Sequence, residues 1–290
     1  MGLVLNTNIA AMNATRNLAT TQSQQATTFQ RLSTGLRVNS AKDDAAGLYL
    51  AQSQTKDIRG LNMATRNASD GISMAQTAEG ALDQIGNNLQ RINELAIQSA
   101  NGTYNSAARG GIQKEVDQLT MEIARIIETT EFNGMPLLNS GAKDLILQIG
   151  FTNQSASRIN AGIMSGGLYE LSGAGSTGIK SIISAGFMTG GAIDISTQTA
   201  AQQAITLTRD AIDKISEMRA TFGAVMNRFE AVISGNNIYA ENLTAARSRI
   251  QDADFAVETS NLAKQQVLQQ AGIASLSQAN QSSQVILGLL

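Results

Sequence analysis

Between Ala211 and Ile250 the chain repeats at alternating steps of four and three: Ala211, Ile215, Met218, Phe222, Val225, Phe229, Val232, Asn236, Tyr239, Leu243, Ala246 and Ile250. That rhythm holds one stripe of a helix against a partner for about 60 Å at ~1.5 Å per residue. The segment is therefore a long helix that packs lengthwise on other helices. Only Asn236 breaks the stripe with a polar group. A single Asn in such a seam serves register rather than ligand binding.

Two further runs share the period. Leu82, Ile85, Leu89, Ile92, Ala96 and Ser99 form the first, and Ile112, Val116, Leu119, Ile123 and Ile126 the second. Asn101-Gly102 between them is a turn signal, so the second run folds back antiparallel to the first and three helices share one seam.

Glycine sets the boundaries. Twelve of the 26 glycines lie in residues 134–195, and the single proline, Pro136, stands at the start of that stretch. The flanks are helical and the middle is not. Leu145, Leu147 and Ile149 alternate with Ile146 and Gln148, Thr152 to Ser157 is polar, and Ile159, Ala161 and Ile163 alternate again, the pattern of a β-hairpin. Gly166 to Gly191 is small and weakly patterned, as in a surface excursion. The fold class expected is mainly α: an elongated antiparallel helical bundle or coiled coil formed by both chain ends, with a small β-hairpin region in the middle.

The two ends differ from the body. Continuing the heptad gives Phe255, Thr259, Leu262, Gln266, Gln269, Ile273, Leu276, Asn280, Ser283, Leu287 and Leu290, a seam nearly half polar. The last 26 residues carry no charge, and the first 30 carry only Arg16. A lone helix in water wears charges on its outer face, and these ends do not. They are expected to gain order by packing into a larger assembly.

Composition removes most chemistry. The chain has no Cys, His or Trp, which excludes disulfides and mechanisms built on thiolate or imidazole. A formal net charge of −2 with 15% charged residues gives no basic excess for phosphates or anionic lipid, so neither nucleic acid nor membrane is an expected partner. Met1 to Thr20 has no basic segment ahead of an apolar run and does not read as a cleaved signal peptide.

Four motifs are weighed and set aside. Gly173, Gly175 and Gly178 spell a dinucleotide fingerprint with Asp194 beyond, but neither a preceding strand nor a following helix supports it. The same stretch nearly makes a phosphate loop, and Ile179 intrudes before Lys180-Ser181. Asp43-Asp44 and Asp252/Asp254 stand where helix starts need capping, which is a better use of them than acid–base or calcium chemistry. Asn13-Ala14-Thr15 is a sequon expected by chance in an Asn-rich chain. No enzyme, cofactor or metal site is expected.

The stretch from Arg31 to Gly47, Arg-Leu-Ser-Thr-Gly-Leu-Arg-Val-Asn-Ser-Ala-Lys-Asp-Asp-Ala-Ala-Gly, resembles the signature of bacterial flagellins. Asn6-Thr7-Asn8, Arg66 to Ser73, Leu89 to Ala96, Phe132-Asn133-Gly134 and Gln278 to Gln281 resemble the family in the same order. The likeness covers roughly residues 1–165 and 196–290.

That resemblance implies an organisation and a set of partners. Residues 1–43 with 251–290 would be the inner terminal coiled coil lining a channel. Residues 44–165 with 196–250 would be the outer helical body with the β-hairpin, and 166–195 a short glycine-rich variable segment. The function implied is a structural subunit polymerising into the flagellar filament for motility, located outside the cell. The alternative is a hook–filament junction protein. Polymerisation contacts would come from Leu3, Leu5, Ile9, Leu32, Leu36, Phe255, Leu262, Ile273, Leu276, Leu287 and Leu290. Implied partners are further copies of the chain, the flagellar type III export apparatus, a flagellin export chaperone, and the filament cap and hook–filament junction proteins. Arg91, Leu95 and Glu115 match the positions that vertebrate Toll-like receptor 5 reads, and they also suit lateral subunit contacts. Asn93 stands where the family often has a basic residue.

Overall fold

The structure, a computed structural model, describes residues 8–139, 146–160 and 193–287. Leu145, Ala161, Ile163, the excursion at 166–191 and the glycine motif at 173–178 lie outside the described residues. The chain is mostly helical with small antiparallel strand pairs. Helices span Ile9–Thr34 (α1), Ala45–Ala100 (α2), Ser106–Thr129 (α3), Gln198–Gln251 (α4) and Phe255–Leu287 (α5). The chain divides into two units, one comprising residues 1–58 with 241–290 and the other residues 59–240.

In the second unit the expected seam forms the core. Leu82, Ile85, Leu89, Ile92 and Ala96 of α2 meet Val116 and Ile123 of α3 and Ala211, Ile215, Met218 and Phe222 of α4. Burying such side chains stabilises by roughly 1.5–3 kcal/mol each. α3 runs antiparallel to α2, as the Arg91–Glu115 and Ser99–Arg109 pairings show. The elbow is held by Arg109, whose Nε donates to Ser99 O at 2.9 Å and Nη2 to Asn101 O at 3.1 Å. A cation thus sits at the negative end of α2, where the last carbonyls lack helical partners. Ser99 Oγ donates to Ile195 O at 2.7 Å, and Gln113 brackets residues 193–195 through Ile193 O and Ile195 N.

Two strand pairs lie in the same unit. β1 (Glu131–Phe132) and β2 (Met135–Pro136) join through Asn133 (φ 51°) and Gly134 (φ 74°). Positive φ at both central residues is the geometry that suits a two-residue hairpin turn. β3 (Ile146–Gln148) and β4 (Arg158–Asn160) form the expected hairpin, with Leu147 opposite Ile159. Ile149 N and Gly150 N both donate to Ser157 O, so two residues oppose one as in a bulge. A Cβ on Gly150 would lie 2.7 Å from Ser157 Oγ, which restricts that position to glycine.

The hairpin sits on helices through a small cluster of Ala68, Ile149, Ile159 and Phe229. Asn236 Nδ2 donates to Ile149 O at 3.0 Å and Asn67 Nδ2 to Gln148 O at 2.8 Å. The polar interruption of the α4 stripe therefore satisfies a hairpin carbonyl. Tyr239, the next stripe position, is exposed and its ring lies 5.8 Å from that of Phe151.

In the first unit the helix ends follow their caps. Asn8 Oδ1 accepts from Ala11 N, and α1 stops at Gly35, whose φ of 69° suits a residue without Cβ. Asp44 Oδ1 accepts from Gly47 N at 2.8 Å and caps α2, and Asp254 Oδ1 accepts from Ala256 N and Val257 N and caps α5. Asp43 does not cap: its Oδ2 accepts from Ser40 N, Ser40 Oγ and Asn39 N and closes the preceding turn. The Ser40 amide and hydroxyl, with the Asn39 amide, hold the Asp43 carboxyl below its ordinary value of 3.8.

Candidate assembly surface

α1 and α5 lie antiparallel. Asn8 Nδ2 donates to Ala279 O at 3.0 Å, Gln265 Nε2 to Thr28 Oγ1 at 3.1 Å, and Arg31 Nη1 to Glu258 Oε1 at 3.2 Å. At the root of the pair the two chain segments bridge like strands: Leu36 pairs with Asp252, Arg37 N donates to Gln251 O, and Ala253 N to Gly35 O. Arg37 Nη2 reaches Ile250 O at 2.6 Å and places a cation at the end of α4.

The covered stripe on α1 is Ala11, Ala14, Leu18, Thr21, Gln25, Thr28 and Leu32, at steps of three and four. Its counterpart on α5 is Glu258, Leu262, Gln265, Gln269, Gly272, Leu276 and Ala279. The seam expected from the sequence is thus corrected at alternate positions. Leu262, Gln269 and Leu276 face α1 as expected and Thr259 stays partly covered, whereas Gln266, Ile273 and Asn280 give way to their neighbours. A seven-residue repeat can be completed from its shared positions by a step of either three or four. Counting apolar residues favours the step that collects Phe255 and Ile273. The helices take the other, which sets Gly272 against α1: a Cβ there would stand at an ordinary contact distance of 3.5 Å from Leu18 Cδ1.

This choice sets where the candidate contact residues lie. Leu32, Leu262 and Leu276 are half-buried in the seam, and Leu36 is in the bridge at its root. Phe255 is 69% exposed, Ile273 54% and Ile9 64%. At about 100° per residue, Phe255 and Ile273 project from one flank of α5, Val257 and Leu268 from the other, and Val267 from the face opposite α1. Met12 and Phe29 are exposed on α1. Leu287 lies in the last turn of α5, and Leu3, Leu5 and Leu290 lie outside the described residues.

On the second unit Arg91 donates through Nε to Glu115 Oε1 at 2.9 Å and through Nη1 to Glu94 Oε2 at 3.0 Å. The Glu115 carboxylate, and after it Glu94, raise the Arg91 guanidinium above its ordinary value. This triad is open to solvent and ties α2 to α3. Leu95, by contrast, is 2% exposed and packs in the core beneath. Among the described residues no three carboxylates converge as a metal site requires, and no helix is long and apolar enough to cross a membrane.

A packed helical body joined to a terminal helix pair whose apolar side chains point outward in several directions defines a class, that of a structural subunit. The chain belongs to the bacterial flagellin family: a model of the bacterial flagellin N-terminal helical region matches residues 5–143, and one of the C-terminal helical region matches residues 205–290. It is 41% identical over 288 residues to a flagellin of Halalkalibacterium halodurans, covering 99% of this chain and all of the relative. It is 39% identical over 298 residues to the flagellar filament 33 kDa core protein of Treponema phagedenis, covering 99% of this chain and all of the relative. Among solved structures, Bacillus cereus flagellin is 28% identical with a TM-score of 0.48, covering 59% of this chain and 88% of that one. The family function is that of a structural subunit of the flagellar filament, which lies outside the cell, and the junction-protein alternative is not favoured.

Proposed function

We propose that this chain polymerises through its two ends, with residues 1–43 and 251–290 forming the inner coil and residues 44–165 and 196–250 the outer body. One observation carries the reading: apolar side chains surround α5, while α1 covers only a single stripe of it. Large apolar side chains left exposed on several sides of a helix call for cover, and other copies of the chain supply it. Phe255, Ile273 and Ile9 are the direct intersubunit contacts. Leu32, Leu36, Leu262 and Leu276 hold the pair that presents them. Leu3, Leu5, Leu287 and Leu290 are assigned to polymerisation with them.

The subunit works by burial and stiffness and catalyses no reaction. The flagellar type III export apparatus carries it out, a flagellin export chaperone holds its C-terminal segment beforehand, and the filament cap and junction proteins bound the polymer. Arg91 and Glu115 serve lateral contacts first and Toll-like receptor 5 recognition second. Leu95 supports that patch from beneath. Deletion of Ile273 to Leu290 tests the core of the proposal: a folded, soluble chain with no filaments in the electron microscope is expected, and normal filaments would overturn it.

A further inference from the structure

Hydrophobicity does not determine which face of α5 meets α1, because the apolar side chains of α5 are spread around its axis. Two seams share Leu262, Gln269 and Leu276. The observed one adds Glu258 and Gly272. The other, reached by turning α5 by roughly 50°, would add Phe255 and Ile273 instead, and it is the more apolar of the two.

The observed seam also carries a cost. Glu258 is buried, with its side chain 8% exposed. One carboxylate oxygen meets Arg31, while Glu258 Oε2, Arg31 Nε and Gln265 Oε1 have no hydrogen-bond partner among the described residues. Buried polar valence left open is unfavourable, so this arrangement is not chosen for stability alone. A buried ion pair in a helix seam has its best-attested role in selecting one geometry among alternatives.

We infer that Arg31 and Glu258, with Thr28 and Gln265 one to two turns away, form an azimuthal key: positioning residues that hold α5 at the rotation where Phe255 and Ile273 face neighbouring copies. The inference rests on the assembly reading above and adds what selects the assembling face. The key acts by exclusion. Turning α5 to bury Ile273 would carry the Glu258 carboxylate away from Arg31, so the apolar seam becomes accessible only when that pair is lost. Arg37 and Asp254 stand at the root of the helix pair, but Arg37 is bound to Ile250 O and Asp254 to the first amides of α5, so neither replaces a key member.

The chain has no cysteine, so introduced pairs report unambiguously. Leu18→Cys with Gly272→Cys reads the observed rotation, and Leu18→Cys with Ile273→Cys the turned one. Each double variant is copolymerised as a minority with unaltered chain, and intramolecular disulfide formation in the filaments is followed on denaturing gels. The 18–272 pair should close about tenfold faster than the 18–273 pair. Adding Glu258→Gln should bring the two rates within about twofold, whereas Arg31→Lys, which keeps the charge, should preserve most of the preference. A preference unchanged by Glu258→Gln, or absent from the parent pairs, overturns the key. Absence of filaments from the unaltered chain would instead sink the assembly reading, which separates the two failures.

Discussion

The helical body and the terminal helix pair are built with the same period, yet their seams differ in polarity. In the body, Leu82, Ile85, Phe222 and their neighbours keep large apolar groups on one stripe and leave charges outside. In the terminal pair the stripe mixes Leu18, Leu32, Leu262 and Leu276 with Glu, Gln, Gly, Ala and Thr, while Phe255, Val267 and Ile273 face out. The body satisfies itself within one chain. In the assembly proposed above other copies cover the pair, so the side of a helix that bears the apolar groups distinguishes an internal partner from an external one.

The sharpest way to break this contrast is truncation on the two sides. Phe222→Ala should cost about 3–5 kcal/mol of stability, read as a lower urea midpoint. Phe255→Ala should change stability by no more than about 0.5 kcal/mol yet raise the concentration needed for filament growth at least roughly tenfold, equivalent to about 1.4 kcal/mol. Equal effects of both changes on the soluble chain would erase the distinction.

A second contrast is local order in dilute, unassembled protein. Amide exchange should be slow along α3 and the Leu82–Ala96 stretch of α2 and at least about a hundredfold faster along α5, a gap near 2.7 kcal/mol. Firm protection of α5 in that state would make the pair self-sufficient.

Smaller effects refine the body. Asn236→Ala removes the donor to Ile149 O and should cost about 1–3 kcal/mol, with faster exchange confined to β3 and β4. Asp44→Ala should cost about 0.5–2 kcal/mol through the start of α2.

The smallest effect concerns acid. Asp43 titrates below 3.8 in the folded chain, so its contribution is fully present above that value and is lost as pH falls through the depressed one. Asp43→Asn should flatten the acid limb of the stability curve without altering neutral-pH filaments.

Much of this was legible beforehand. The three-helix seam, the antiparallel elbow and the β3–β4 hairpin follow from period and turn residues alone. The Asn133-Gly134 hairpin carried a readable signal, two residues suited to positive φ, which the helical context around it obscured. The caps by Arg109 and Arg37, and the Arg31–Glu258 pair, were not legible. Each joins residues far apart in sequence, or across an elbow, and no local pattern links a lone arginine to a particular carbonyl or carboxylate.

The division has a physical basis. Helical period, turn chemistry and charge content are properties of neighbouring residues, so the sequence by itself determined a mainly α chain with an apolar body seam and charge-poor ends. The rotation of α5 was decided only in three dimensions. Steps of three and four from Leu262 are equally helical, and the observed step sets Glu258 against Arg31, a contact that exists only once the two ends of the chain have met.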